Sequence, residues 1–285
     1  MHSLRQYYYL VRLDRPIGIL LLLWPTLWGL WIASAGEPGP LVLIVFVAGV
    51  VLMRSAGCAI NDFADRHVDP YVARTRQRPL AAGRITEKEA LMVFVVLSLT
   101  AFALVLLLNW LTILMSFAAA ALAGSYPFMK RYTYLPQIFL GVAFGWGVPM
   151  AFAAQTNSVP NIAWAVMAAA VLWAMIYDTE YAMVDREDDL KLGVKSTAIL
   201  FDDADRVFIG AFQIMMLIGL ALIGRDARLG WPFFIALLVC GGMAAYQQSL
   251  INGREPEKCF KAFMNNNWYG AVVFVGVAGS YGLGR

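Results

Sequence analysis

Charge is scarce in this sequence. Asp, Glu, Lys and Arg supply 14% of its 285 residues, where a soluble domain carries roughly 25%. That shortage excludes an ordinary water-soluble fold. Histidine is almost absent: His2 and His67 are the only two, and neither stands in a constellation that builds a Ser–His–acid triad or a haem site. Cysteine is limited to Cys58, Cys240 and Cys259. Their spacing matches no metal motif, and Cys58 and Cys240 fall in apolar runs, where a thiol acts as a small apolar filler. No polar stretch reaches the length at which a domain folds alone. The small net charge of +3 marks no nucleic-acid partner.

What is present is apolar. Hydrophobic residues make up 60% of the chain and mean hydropathy is +0.65. Apolar runs cover Ile17–Ala35, Leu41 to about Asn61, Ala90–Leu108, Leu111–Phe128 and Leu135–Ala154. Four more follow: Ile162 to about Ala182, Val207–Ile223, Trp231–Leu250, and a last run starting around Asn267 and ending at Leu283. Each is near the ~20 residues needed to cross hydrocarbon. The expected fold is an all-α membrane protein, nine transmembrane helices bundled around a central cavity. Residues 1–285 read as one domain.

Basic residues gather before the first run and after the second, fourth, sixth and eighth. The opposite loops are poor in Lys and Arg, except for Arg225 and Arg228. The positive-inside rule therefore predicts a cytoplasmic amino-terminal segment in a multi-pass inner-membrane protein. Residues 1–16, with Arg5, Arg12, Arg15 and Tyr7–Tyr9, read as an interfacial segment touching membrane lipid.

Two acidic stretches stand out against this background. Asp62, Asp65 and Asp69 lie within eight residues at the end of the second run. On a helix, Arg54, Asn61 and Asp65 share one face, because seven residues return within about 20°, and Asp69 extends the stripe as far as Pro70 allows. The sixth run ends in Asp178, Asp185 and Asp189, spaced i, i+7 and i+11, with Tyr181 between. Crowded carboxylates repel unless a cation sits among them. Two such stripes on the same predicted side suit Mg²⁺, a hard ion that takes one or two carboxylates and fills its shell with water and substrate phosphate. Two metals facing each other would clamp a diphosphate.

The loop after the first stripe carries Arg66, Arg74, Arg76, Arg78, Arg84 and Lys88, and Lys130-Arg131 follows the fourth run. Each is a topology signal on its own; as a set beside carboxylates they suit phosphate. Arg54 lies inside a span, where an unpaired charge is expensive. It should face an internal cavity and meet an anion, either a ligand or a neighbouring carboxylate such as Asp14. Trp24, Trp28, Trp31, Phe144, Trp146, Trp164 and Trp173 read as interface or core, with some available to stack on an aromatic substrate or a carbocation.

Asn61-Asp62-x-x-Asp65-x-x-x-Asp69 with Arg78-Pro79-Leu80, followed by Asp178-x-x-Tyr181-Ala182-x-x-Asp185-x-x-Asp188-Asp189, resembles the UbiA-type intramembrane aromatic prenyltransferases. Asp14–Trp28, Tyr126–Tyr132, Tyr177–Asp185, Lys195–Leu200 and Cys259–Asn267 extend the likeness over essentially the whole chain, and it is nearest to members acting on 4-hydroxybenzoate. The resemblance implies Mg²⁺-dependent transfer of a polyprenyl chain from polyprenyl diphosphate to the ring carbon ortho to the hydroxyl of 4-hydroxybenzoate, in ubiquinone biosynthesis. It implies that Asn61, Asp65 and Asp69 hold one Mg²⁺ and that Asp185 and Asp189 hold the other. Asp65, Asp69, Asp185 and Asp189 are thereby the expected catalytic residues. Arg78, Lys130 and Asp178 are implied at the diphosphate, and Arg54 at the aromatic carboxylate.

Three rival readings remain. The same fold could serve another acceptor, such as dihydroxynaphthoate or homogentisate. A cation transporter would want charges near mid-membrane in several spans, whereas the acidic residues here sit mostly at one face. A non-enzymatic lipid-binding scaffold would bind prenyl diphosphate without turnover.

Overall fold

A backbone out of reach of water must satisfy its own hydrogen bonds, so long apolar runs fold as helices. The computed structural model describes residues 4–72 and 74–283; His2 and the side chain of Lys130 lie outside the described residues. The described residues are helical with connecting turns. A short helix α1 (Leu4–Leu10) precedes α2 (Ile17–Ala33) and α3 (Pro40–Ala64). Then come α4 (Glu87–Val105), α5 (Trp110–Ser125), α6 (Pro136–Gly145) and α7 (Gly147–Thr156). The chain continues through α8 (Asn161–Leu192), α9 (Thr197–Phe201), α10 (Asp205–Asp226), α11 (Trp231–Leu250) and α12 (Pro256–Leu283). Seven helical segments among the described residues are long and apolar enough to cross a membrane; α2 is apolar but shorter, at 17 residues.

Local chemistry sets the ends. Thr86 and Glu89 form a reciprocal capping box at the start of α4, and Asn109 accepts from the Thr112 N–H at 3.0 Å to start α5. Gly193 takes the left-handed conformation that closes α8.

Three expected boundaries move. The fifth run is two helices meeting at Trp146, since Pro149 has no N–H for the carbonyl four residues back. The sixth run does not stop near Ala182: α8 has 32 residues, about 48 Å of helix, and carries the whole second acidic stripe. The last helix begins at Pro256, well before Asn267.

The main apolar core joins α2, α7, α8, α10, α11 and α12. Trp28 and Trp173 pack at a tilt, 5.3 Å between ring centroids, and the Trp28 Nε1–H donates to the Gly270 carbonyl at 3.1 Å. That approach needs glycine: a Cβ at position 270 would lie 2.6 Å from both Trp173 and Trp24. Outside this core, α4 and α5 are sparsely buried and expose Leu99 and Phe117, as surfaces facing lipid do. A smaller cluster of Leu10, Ala59, Leu80, Ile85 and Ala90 fastens α1 and the basic loop to α3 and α4.

Gly270→Ala is expected to destabilise the fold by about 1–3 kcal/mol, because two rigid indoles must shift. Gly49→Ala, with nothing within 4 Å of the added carbon, is the control and should be neutral or slightly stabilising. Thermal unfolding in detergent compares the two; equal melting temperatures would contradict the packing argument.

Candidate functional site

Both acidic stripes line one cavity of about 560 Å³. α3 contributes Arg54 and Asn61, and the turn after it contributes Asp65 and Asp69. From α8 come Asp178, Tyr181, Asp185 and Asp189. The basic loop adds Arg74, Arg78 and Arg84. Phe144, Tyr177 and Phe263 form part of an apolar wall.

The first stripe is not one continuous helix. α3 ends at Ala64, Asp65 is its cap, and Asp69 begins a 3-10 turn with Pro70 and Tyr71. The residue before a proline is disfavoured in α conformation, so the helix cannot run through to Asp69. The Asp69 N–H still bonds the Asp65 carbonyl at 2.9 Å. That one bond keeps Asp69 a turn beyond Asp65 and on the cavity wall. The second stripe has the regular spacing of α8 throughout.

Arginines thread between the carboxylates. Asp62, only 2% exposed, accepts from Arg12 at 2.5 Å and from Arg78 at 3.3 Å. Arg78 also donates to Asp69 at 2.7 Å. Arg74 grips Asp185 with two nitrogens, Nε to Oδ1 at 3.0 Å and Nη2 to Oδ2. It also donates to the Tyr181 hydroxyl, and its guanidinium lies 4.6 Å from that ring's centre. Burial pushes the Asp69 carboxyl above its ordinary range; Arg78 pulls it down, and Asp65 and Asp62 push it up again. Burial opposes the Arg12 charge, but Asp62 together with Cys58, Tyr181 and Tyr126 outweighs it, and Arg12 is held more firmly charged than usual.

Arg54 is placed differently. Its Nη1 donates to Cys58 Sγ at 2.5 Å, its guanidinium lies 6.0 Å from the Phe144 ring centre, and its Nε is buried without a partner. Asp14, the carboxylate it could have met, lies 3.6 Å from Arg15 instead. The guanidinium rests on the bare backbone of Gly18 in α2, where a Cβ would come within 2.3 Å of Nε and Nη2.

Among the expected residues, Asn61, Asp65, Asp69, Arg78, Asp178, Asp185, Asp189 and Arg54 all reach the cavity wall. Lys130 sits in the 3-10 turn Tyr126–Arg131, but its side chain lies outside the described residues. Its neighbour Arg131 donates to the Ala64 carbonyl and closes the end of α3. Arg76 and His67 are exposed, away from the cavity. Trp28 and Trp173 are core, while Phe144 is wall. Arg12 reads in the sequence only as an interfacial positive charge. Its pairing with Asp62 spans fifty positions, and no local spacing signals it.

The donor set is oxygen throughout. Among the described residues no three Asp, Glu, His or Cys side chains converge to enclose a metal by themselves. Protein oxygens on two walls of one cavity, supplemented by water and phosphate, match how Mg²⁺ is held better than a closed all-protein cage would.

Comparison with known proteins agrees with this architecture. The profile of the UbiA prenyltransferase family matches residues 22–269. A protein of Methylococcus capsulatus named 4-hydroxybenzoate octaprenyltransferase is 62% identical over 275 residues, covering 96% of this chain and 94% of its own. The apo structure of a UbiA homologue from Aeropyrum pernix superimposes with a TM-score of 0.80 at 24% identity, over 91% of this chain and 96% of that one. A UbiA homologue from Archaeoglobus fulgidus, bound to GPP and Mg²⁺, gives 0.72 at 18% identity, over 94% and 99%.

Asp62→Ala should leave Arg12 without its carboxylate and Arg78 with only Asp69. Losing one partner of a fully buried pair costs about 3–5 kcal/mol. With Arg12 partly exposed, about 1–3 kcal/mol is expected. Unfolding in metal-free detergent buffer measures it, and an unchanged midpoint would show that Asp62 holds nothing in place.

Proposed function

The chain belongs to the UbiA prenyltransferase family, and from that premise we propose that it is a 4-hydroxybenzoate polyprenyltransferase. It transfers the chain of a polyprenyl diphosphate to the ring carbon ortho to the hydroxyl of 4-hydroxybenzoate and releases diphosphate, a step that serves ubiquinone biosynthesis. The observation that carries this reading is a single cavity holding two acidic stripes, phosphate-ready arginines and Arg54, whose Nε is buried without a partner, in a chain so similar to proteins named for that reaction.

Asn61, Asp65 and Asp69 would hold one Mg²⁺, and Asp185 and Asp189 the other, with Asp178 beside the diphosphate. The bound metal supplies neutralising charge for the departing diphosphate. Arg78 adds to it, joined by Lys130, and both are strengthened by exclusion of water. Arg54 holds the acceptor's carboxylate and so fixes which ring carbon faces the allylic carbon. The electron-rich ring forms the new C–C bond as the C–O bond to diphosphate breaks, and the ring then loses its proton. Tyr177, Phe144 and Phe263 keep water from the developing cation and present π faces to it.

The wider setting is read from charge. Residues 1–285 form one transmembrane prenyltransferase domain of nine spans in the cell inner membrane. The amino-terminal segment and both stripes lie in the cytoplasm. The prenyl chain extends from the cavity toward membrane lipid. Impermeant labelling of cysteine placed at position 157 in intact cells, with the exposed position 76 unlabelled, is the expected pattern; the reverse would invert the orientation.

Asp65→Ala and Asp185→Ala should each remove most turnover in a membrane assay with 4-hydroxybenzoate, prenyl diphosphate and Mg²⁺, as should a chelator. Near-normal activity in either variant would sink the two-stripe assignment. Dihydroxynaphthoate or homogentisate consumed in preference would move the acceptor. Arg54→Ala should raise KM for 4-hydroxybenzoate by about 30- to 1000-fold, the worth of a buried bidentate charge pair, with little change for the prenyl diphosphate. Gly18→Ala should act the same way more weakly, because it displaces the guanidinium without removing it. A rise in KM for the prenyl diphosphate alone would take the carboxylate role away from Arg54.

A further inference from the structure

Asp185 is already engaged. Arg74 binds both of its oxygens, and this is the geometry of a bidentate guanidinium–carboxylate pair, the strongest form such a pair takes. The side chains are 29% and 15% exposed, so water screens the pair only in part. Tyr181 braces the same guanidinium through its hydroxyl and its ring. Arg74 is thus held by two residues of α8, although it comes from the loop that follows the other acidic stripe. Arg74 takes a lone pair of each oxygen and sets a positive charge beside them, so a cation must compete with it for Asp185.

We propose that Arg74 makes metal binding conditional on diphosphate. Without an anion in the cavity, the guanidinium occupies Asp185 and a divalent cation must displace it, leaving an arginine without its carboxylate. A diphosphate offers Arg74 a second anion of matching shape. The arginine then exchanges carboxylate for phosphate and Asp185 is released to the cation. Metal and diphosphate favour each other by the same factor, as linkage requires. Arg78 stands in the same relation to Asp69, with the buried Asp62 as a second anchor at 3.3 Å. Bare Mg²⁺ is thereby kept from filling the site in an unproductive order. This inference rests on the assignment of Asp185 as a metal ligand.

The test counts Mn²⁺ retained by detergent-purified full-length protein in equilibrium dialysis at matched free Mn²⁺, with and without inorganic diphosphate. In the unaltered protein, diphosphate should tighten Mn²⁺ binding strongly. Arg74→Ala should bind Mn²⁺ on the order of ten-fold more tightly without diphosphate, and the enhancement by diphosphate should shrink by a similar factor. Arg74→Lys keeps the charge but loses the planar fork, so it should fall between, and it carries the test where the alanine variant does not extract. Arg84→Ala is the control for bulk charge: Arg84 lines the same cavity but donates to Gln77 at 2.9 Å. Unchanged or weaker Mn²⁺ binding in both Arg74 variants overturns the proposal, as does an equal gain in Arg84→Ala. No retained Mn²⁺ in the unaltered protein even with diphosphate would overturn the metal assignment itself.

Discussion

Carboxylates gathered at the edge of a membrane need positive charge beside them, and much of this structure serves that need. Asp62, Asp65 and Asp69 end one helix system, and Asp178, Asp185 and Asp189 lie on another. All of them except the buried Asp62 line one cavity. Arg12 arrives from the amino-terminal segment, and Arg74 and Arg78 from the basic loop, to pair with three of those acids. The loop can do this because Leu80 and Ile85 are buried against Leu10, Ala59 and Ala90. Apolar anchoring thus holds the guanidinium groups where the acids are.

The same cavity has charged and apolar lining. Arg54 lies beside Phe144 and against the bare backbone of Gly18. Its wall belongs to the tightly packed part of the molecule, where Trp28, Trp173 and Gly270 bring α2, α8 and α12 together. An apolar wall that keeps water away and charged groups beside it are what a reaction with an allylic cation and a diphosphate leaving group requires. UbiA family membership agrees with that division of labour.

In the exchange proposed for Arg74, binding swaps one ion pair for another and does not fill an empty charge cage. A substrate-free acidic site without internal cations would repel itself. With arginines in place those charges are paired.

Composition and spacing alone determined the membrane class, the helical fold and the residues of both stripes, because lipid leaves the backbone no alternative to helix and a helix returns every seven residues to the same face. Asn61 and Asp65, and Asp178, Asp185 and Asp189, were legible for that reason. The tertiary structure decided what no local period encodes. Asp69 reaches the cavity from a 3-10 turn because Pro70 ends the helix. The fifth run breaks at Trp146, and the sixth continues in one helix through Leu192. Arg12 finds Asp62, Arg74 finds Asp185, and Arg54 comes to rest on Gly18. Those meetings depend on how helices and a loop far apart in sequence pack, and packing is settled by the shape of the whole core rather than by any short stretch of chain.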